Sequence, residues 1–82
     1  MIDVREHYDD FGEWYEGVAW VEKDGKTWHI NKKGKPLYNE KYDWAGNFRK
    51  GVARVEKDNK YWHVDKNGNP LYNERYDWVG SF

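Results

Sequence analysis

The sequence predicts an all-β fold built from tandem antiparallel β-meander units, stacked side by side as an open, solenoid-like array. Three observations lead to it. Shifted against itself by 34 residues, the chain superimposes residues 8–48 on 42–82 without a gap, and 25 of the 41 pairs are identical. Each copy carries alternating apolar and polar runs broken by two-residue turn signals, and no stretch holds a helical period over three turns. Aromatic residues make up 20% of the chain, whereas Leu stands only at 37 and 71 and Ile only at 2 and 30. A core of this composition is made of a few large rings whose polar tips need partners. Propeller-blade-like units completed by oligomerisation are the alternative architecture.

The 82 residues form a single repeat domain: one repeat over 8–41, a second over 42–75 and the start of a third over 76–82. Within the first repeat, Val18 to Glu22 and Lys26 to Ile30 flank Asp24-Gly25, a strong signal for a two-residue hairpin. The second repeat has Asp58-Asn59 at the same place, and both residues tolerate positive φ. Lys32-Lys33-Gly34-Lys35-Pro36 and Lys66-Asn67-Gly68-Asn69-Pro70 are turns, each leading into a short Leu-Tyr strand. Closing the hairpin at Asp58-Asn59 places Val55 opposite Trp62 and Ala53 opposite Val64. Closing the preceding one at Arg49-Lys50 places Phe48 opposite Gly51, Gly46 opposite Ala53 and Trp44 opposite Val55.

Side chains alternate across a strand. Trp44, Gly46, Phe48, Ala53, Val55, Trp62 and Val64 therefore share an inner face, with Gly46 and Ala53 giving the rings room. In the first repeat Trp14, Ala19, Val21, Trp28 and Ile30 are expected inside. Trp20, Thr27 and His29 are expected on a mixed, half-wet outer face, together with Arg54, Tyr61 and His63.

Gly51-Val52-Ala53-Arg54-Val55, Asp24-Gly25-Lys26, Ile30-Asn31-Lys32-Lys33-Gly34 and Tyr42-Asp43-Trp44-Ala45-Gly46-Asn47-Phe48 resemble the bacterial WG repeat, also called the KWG repeat, over residues 8–82. The resemblance implies a β-repeat found in long arrays. The chain departs from the family at its name-giving position. Where the family has Lys-Trp-Gly-Tyr-Ile-Asp, this chain has Lys26-Thr27-Trp28-His29-Ile30-Asn31 and Lys60-Tyr61-Trp62-His63-Val64-Asp65, a sub-type with the bulk moved to the opposite face. The aromatic turn string from Asp24 to Gly34 is also similar to choline-binding cell-wall repeats, whose much shorter period this chain lacks.

Chemistry is bounded by what the chain lacks. It has one Ser, one Thr and no Cys, which leaves no basis for Ser or Cys hydrolase chemistry. The paired carboxylates Glu40 and Asp43 recur as Glu74 and Asp77, as solvated strand-end residues of a repeat do. His29 and His63 occupy equivalent positions but have no third ligand at fixed spacing, so no metal site is expected. A formal charge of −1 with no like-charged block argues against nucleic acid and anionic membrane as partners. No signal peptide or membrane-spanning segment is visible, so a cytoplasmic location is expected if Met1 is the native start.

The expectation is a non-catalytic repeat module without cofactor, for protein–protein interaction or scaffolding, in a longer array or self-associating. Its partner surface is expected at Trp20, His29, Arg54, Tyr61 and His63. Carbohydrate or cell-envelope binding through exposed Trp and Tyr is the alternative.

Overall fold

In the computed structural model, residues 4–78 are described. One helical turn, α1 (Val4–His7), precedes six strands: β1 (Asp10–Phe11), β2 (Val18–Lys23), β3 (Lys26–Asn31), β4 (Trp44–Ala45), β5 (Val52–Lys57) and β6 (Lys60–Asp65). They form two three-stranded antiparallel sheets, β1-β2-β3 and β4-β5-β6, one for each copy of the repeat. The molecule is elongated, 35 × 26 × 20 Å, with no closed barrel among the described residues. The all-β array is thus as the repeat predicts. The third unit expected at 76–82 extends into residues 79–82, outside the described residues.

The long hairpins close as predicted. Val55 pairs with Trp62 and Ala53 with Val64; in the first sheet Val21 pairs with Trp28 and Ala19 with Ile30. Asp24 and Gly25 have φ of 54° and 81°, and Asp58 and Asn59 have 54° and 67°. Positive φ at both central residues matches the twist of the flanking strands.

The preceding turn differs from the prediction. It is centred on Lys50-Gly51, with φ of 53° and 80°, and not on Arg49-Lys50. A turn of this kind needs its glycine inside it, so Arg49 becomes the partner of Val52. Farther from the turn, Gly46 N–H donates to Arg54 O at 2.9 Å, Ala45 pairs with Val55 and Trp44 with Glu56. Asn47 and Phe48 therefore stand together opposite Ala53, a β-bulge that shifts the register by one residue. A one-residue shift exchanges the faces. Ala45 points inward and Trp44 outward, 40% exposed, which corrects its expected place in the core. Beyond the bulge Phe48 returns inside as predicted, where it is buried. The first repeat has the same bulge, Glu13 and Trp14 opposite Ala19, between the Gly12–Trp20 and Tyr15–Val18 pairs.

Among the described residues, the backbone hydrogen bonds between the two units run through one residue. Tyr42 exchanges both backbone hydrogen bonds with Thr27 of β3 (2.8 and 2.7 Å), and two residues later the chain enters β4 of the second sheet. The rest of the β3 edge is closed by its own return segment: Leu37 N–H donates to His29 O at 3.0 Å. Tyr76 on Tyr61 and Leu71 on His63 repeat both contacts at β6.

The core runs through both units as Val21, Trp28, Ile30, Tyr38, Tyr42, Ala45, Phe48, Ala53, Val55, Trp62 and Val64. Its rings meet edge to face. Tyr8 contacts Trp28 at 5.9 Å and, one period on, Tyr42 contacts Trp62 at 5.9 Å; Tyr38 bridges to Tyr42 at 5.6 Å. Such pairs add about 0.5–1.5 kcal/mol each beyond area burial.

The outer face is the second correction. Thr27, His29 and His63 are buried, and His29 has no exposed surface at all. The face is not half wet along β3, because the return segment and the next repeat lie over it.

The Asn67-Gly68 turn also locks the units together. Gly68 has φ of +84°, and a Cβ there would lie 2.6 Å from Tyr38 Cβ in the preceding repeat. Gly25 has φ of +81° with open space around it. Gly25→Ala is expected to cost about 1 kcal/mol from backbone strain alone, and Gly68→Ala about 3 kcal/mol because it must also displace Tyr38. Urea unfolding of the two variants measures the difference; equal losses would show that Gly68 is not a packing contact.

Candidate functional site

Two features stand out: a sealed junction between the units and an open cleft beside it. The junction is built on His29. Its position on β3, paired with Trp20, points the ring toward the next repeat. His29 Nε2 lies 2.7 Å from Gly46 O and Nδ1 lies 2.5 Å from Tyr38 Oη. A carbonyl only accepts, so Nε2 carries the proton and Nδ1 accepts from the tyrosine hydroxyl. Phe48 closes the ring from a third side, with centroids 4.5 Å apart. Burial lowers the His29 pKa to about 4, partly opposed by the Gly46 carbonyl, so the imidazole is neutral at pH 7. Burial likewise raises the Tyr38 hydroxyl far above its ordinary value and pushes Tyr42 up to about 12, with the Glu40 charge adding to the effect on Tyr42. All three groups are therefore uncharged at pH 7. His63 repeats the tyrosine contact, with Nδ1 2.7 Å from Tyr72 Oη.

Ion pairs bind the rim of the junction. Asp43 accepts from Lys26 Nζ of the first repeat at 2.6 Å and from the Asp58 amide of the second at 3.0 Å. The hydrogen bond from Lys26, then that from Asp58, holds the Asp43 pKa below its ordinary value. Asp77 and Lys60 repeat the pair at 2.5 Å. Glu16, in the first repeat's turn, accepts from the amides of Lys50 and Gly51 in the second repeat's equivalent turn, and pairs with Lys66 at 3.3 Å. The Gly51 amide is the leading cause of its lowered pKa.

The cleft, about 400 Å³, opens on the outer face where the two repeats meet. Trp20, Arg54 and His63 of the predicted surface line it, together with Trp44, Asn47 and Arg49. Tyr61 lines a smaller adjoining cleft, shared with Trp44, Arg54, Glu56 and Trp78. His29 reaches neither, being sealed in the junction. The structure therefore brings together four of the five expected residues across two adjoining clefts. Sequence reading missed Trp44, Asn47 and Arg49. Trp44 was misplaced by the register, while Asn47 and Arg49 carried a signal in differing from their first-repeat equivalents, Glu13 and Tyr15. Trp20 and Trp44 owe their orientation to glycines: a Cβ at Gly12 would meet the Trp20 ring at 2.1 Å, and one at Gly46 would meet the Trp44 ring at 2.9 Å. The Arg54 guanidinium lies 4.9 Å from the Trp44 ring centroid and 5.7 Å from that of Trp78. Among the described residues, no group of three or more His, Cys, Asp and Glu gathers in metal-binding geometry.

Successive three-stranded sheets, each interlocked with the next at one period, define a tandem β-repeat protein. The model of the WG containing repeat matches residues 7–26 and 30–61, more than half of the chain, and the chain belongs to that family. The matched segments leave out residues 27–29 and stop at Tyr61, so the Trp-His pairs of β3 and β6 lie outside them. No curated protein and no solved structure matches the chain.

His29 makes stability depend on acid. Unfolded, the imidazole titrates near 6.5; folded, near 4. Between these values the unfolded chain binds more protons, so stability is full above pH 6.5 and falls as pH drops toward 4. The loss totals about 3 kcal/mol. Urea midpoints for the protein and for His29→Gln, taken from pH 7 to pH 4, are expected to converge as the pH falls. Parallel curves would refute the assignment.

Proposed function

We infer that this WG-repeat module is non-catalytic and serves protein–protein interaction or scaffolding, within a longer array or by self-association. The observation that carries this reading is a contrast between equivalent tyrosines. Tyr42 is 2% exposed, with Trp62 of the second repeat packed on its ring, whereas Tyr76, with the same backbone bridge, is 44% exposed. Trp78 and Leu71 are exposed as well. The repeat thus presents at Tyr76 a surface of the kind that another repeat covers at Tyr42. The lack of Cys, the single Ser and single Thr, and the sealed, neutral His29 support a non-catalytic role.

A second reading, carbohydrate binding, draws on the rings of Trp20 and Trp44 lying over glycines in the cleft.

Sedimentation velocity over a wide concentration range tests the leading reading. Concentration-dependent association is expected, and Tyr76→Lys is expected to weaken it at least about tenfold, because it places a charge in an apolar contact. Tyr76 is exposed, so the variant should keep the thermal midpoint of the parent. A chain that stays monomeric throughout, or a Tyr76→Lys variant that associates unchanged, would remove the self-association reading.

A further inference from the structure

The junction inside the chain is a template for a second one. Each contact across it has one residue in the first repeat and one in the second. A shift of one period gives the residues that hold the same places at the outer sides of the two repeats. Glu40 pairs with Lys57 across the junction; the counterparts are Glu74 in the second repeat and Lys23 in the first. Tyr38 packs against Gly68; the counterparts are Tyr72 and Gly34, and Gly34 has φ of 85° where Gly68 has 84°. Tyr42 lays its ring on Trp62; the counterparts are Tyr76 and Trp28. All three pairs keep their residue types.

The counterparts in the second repeat lack the contacts their equivalents make. The Glu74 carboxylate and Lys23 Nζ are exposed, and among the described residues neither has an ion pair or a hydrogen bond. Asp43 accepts from Lys26 Nζ and from the Asp58 amide of the next unit, and its own N–H donates to Glu56 O at 2.9 Å. Asp77 keeps only the lysine, Lys60. Its amide and its second carboxylate oxygen have no partner among the described residues, and its side chain is 90% exposed against 38% for Asp43. The strand edge at Tyr76-Asp77 is thus bound on one side, to Tyr61, and open on the side where Asp43 meets Glu56.

In the first repeat the matching place is filled by a loosely held segment. Tyr8 sits on Trp28 at 5.9 Å, the Asp9 amide donates to Glu22 O at 2.8 Å, and Asp9 accepts from the Asp24 amide at 3.0 Å. Tyr42 and Asp43 make the same contacts in the second repeat. Among the described residues, however, Tyr8 has no backbone bridge of the kind that ties Tyr42 to Thr27. β1 is two residues long with both exposed, and Phe11 is 37% exposed where its equivalent Ala45 is 2%. A strand already anchored on its other side can take the place of this one.

We propose that a second copy of the chain stacks head to tail on the first, its β2 edge receiving the first copy's Tyr76–Trp78 strand in exchange for its own Tyr8–Phe11. Glu74 then meets Lys23 of the second copy, Tyr72 meets its Gly34, Tyr76 lies on its Trp28 and Asp77 takes its Asp24 amide. The proposal rests on the self-association reading and gives its geometry: a heterologous interface made by strand addition. One contact of the internal junction is missing from it. Lys50 stands where Glu16 accepts the amides of the next turn, so copies hold each other less tightly than the two repeats of one chain do.

Sedimentation velocity of the full chain tests the geometry. Association is expected to continue past the dimer as concentration rises, because every added copy leaves the same side free. Lys23→Glu is expected to weaken association at least about threefold, and an equimolar mixture with Glu74→Lys to restore it, since opposite charges then meet again. Both residues are exposed, so the thermal midpoints should match the parent. Asp10 and Glu22 are cross-strand partners within reach of a disulfide, and the chain has no cysteine of its own. The double variant Asp10→Cys, Glu22→Cys, oxidised with glutathione disulfide, is expected to stay monomeric and to associate once reduced. A locked variant that associates like its reduced form, an unchanged Lys23→Glu variant, or association that stops at the dimer would each overturn the proposal. Where Tyr76→Lys still disrupts association in those cases, the self-association reading stands and only the head-to-tail exchange falls; a chain that stays monomeric throughout removes both.

Discussion

Tyr42 is the residue on which the two repeats depend. Its backbone belongs to the first unit, pairing both ways with Thr27 on the edge of β3. Its ring belongs to the second, packed edge to face on Trp62 and also touching Tyr38. A three-stranded sheet of this size has an edge that would pair indiscriminately and a face too small to bury unaided. One residue addresses both problems. It caps the edge where the return segment does not reach, and it fills the seam where two thin cores become one. Stability in such an array is a sum of weak units and the contacts between them, and the contact through Tyr42 is supported on its flank by Asp43, which holds Lys26 of one unit and the Asp58 amide of the other.

His29 explains how the chain tolerates its departure from the rest of its family. The third strand of each sheet, β3 and β6, carries Trp-His, and both pairs fall outside the segments matched by the WG model. A histidine buried on both sides is costly unless each nitrogen has a partner. Here the partners come from two places: Tyr38 from the return segment of the same unit and Gly46 from the first strand of the next. Trp28 takes the opposite face and meets Tyr8. The sub-type thus uses a polar bond between units together with the ring contact at Tyr42, and the neutral imidazole is what lets that bond remain dry.

Much of the fold was legible because the repeat is so exact. The period, the two long hairpins and the pairing of Val55 with Trp62 follow from turn chemistry and alternation alone. The register of β4 did not follow, and the reason is local. Gly51 looks like the first residue of a strand, since Gly-Val-Ala recurs in both copies, yet the turn needs its φ of 80°. Moving the turn by one residue by itself leaves Phe48 inside, opposite Ala53; the bulge at Asn47-Phe48 exchanges the faces beyond it and leaves Trp44 outside. A bulge has no composition of its own, so alternation could place Phe48 correctly and Trp44 wrongly from the same assumption. The outer face was misread for a different reason. Strand patterns report which side of a sheet faces its own core, and they are silent about a neighbouring repeat lying across the other side. His29 and Thr27 look like wet residues in one unit and become buried ones in two.

The cleft residues obey a logic opposite to that of the junction. At the junction the copies agree: Tyr8, Tyr42 and Tyr76, Asp9, Asp43 and Asp77, and His29 and His63 hold the same places because the stacking of unit on unit demands the same contacts each time. Around the cleft the copies disagree while the backbone stays the same: Asp10 corresponds to Trp44, Glu13 to Asn47, Tyr15 to Arg49 and Trp20 to Arg54. Identity between copies therefore marks what the array needs in order to stack, and difference marks what stacking leaves free. Free positions that drift without constraint would scatter in charge and type. Those around the cleft instead exchange acid for neutral and neutral for base, and set two tryptophans beside two arginines. The part of the molecule that makes the repeat a particular module, and not simply another unit of its array, is on this physical argument the part where its symmetry is broken.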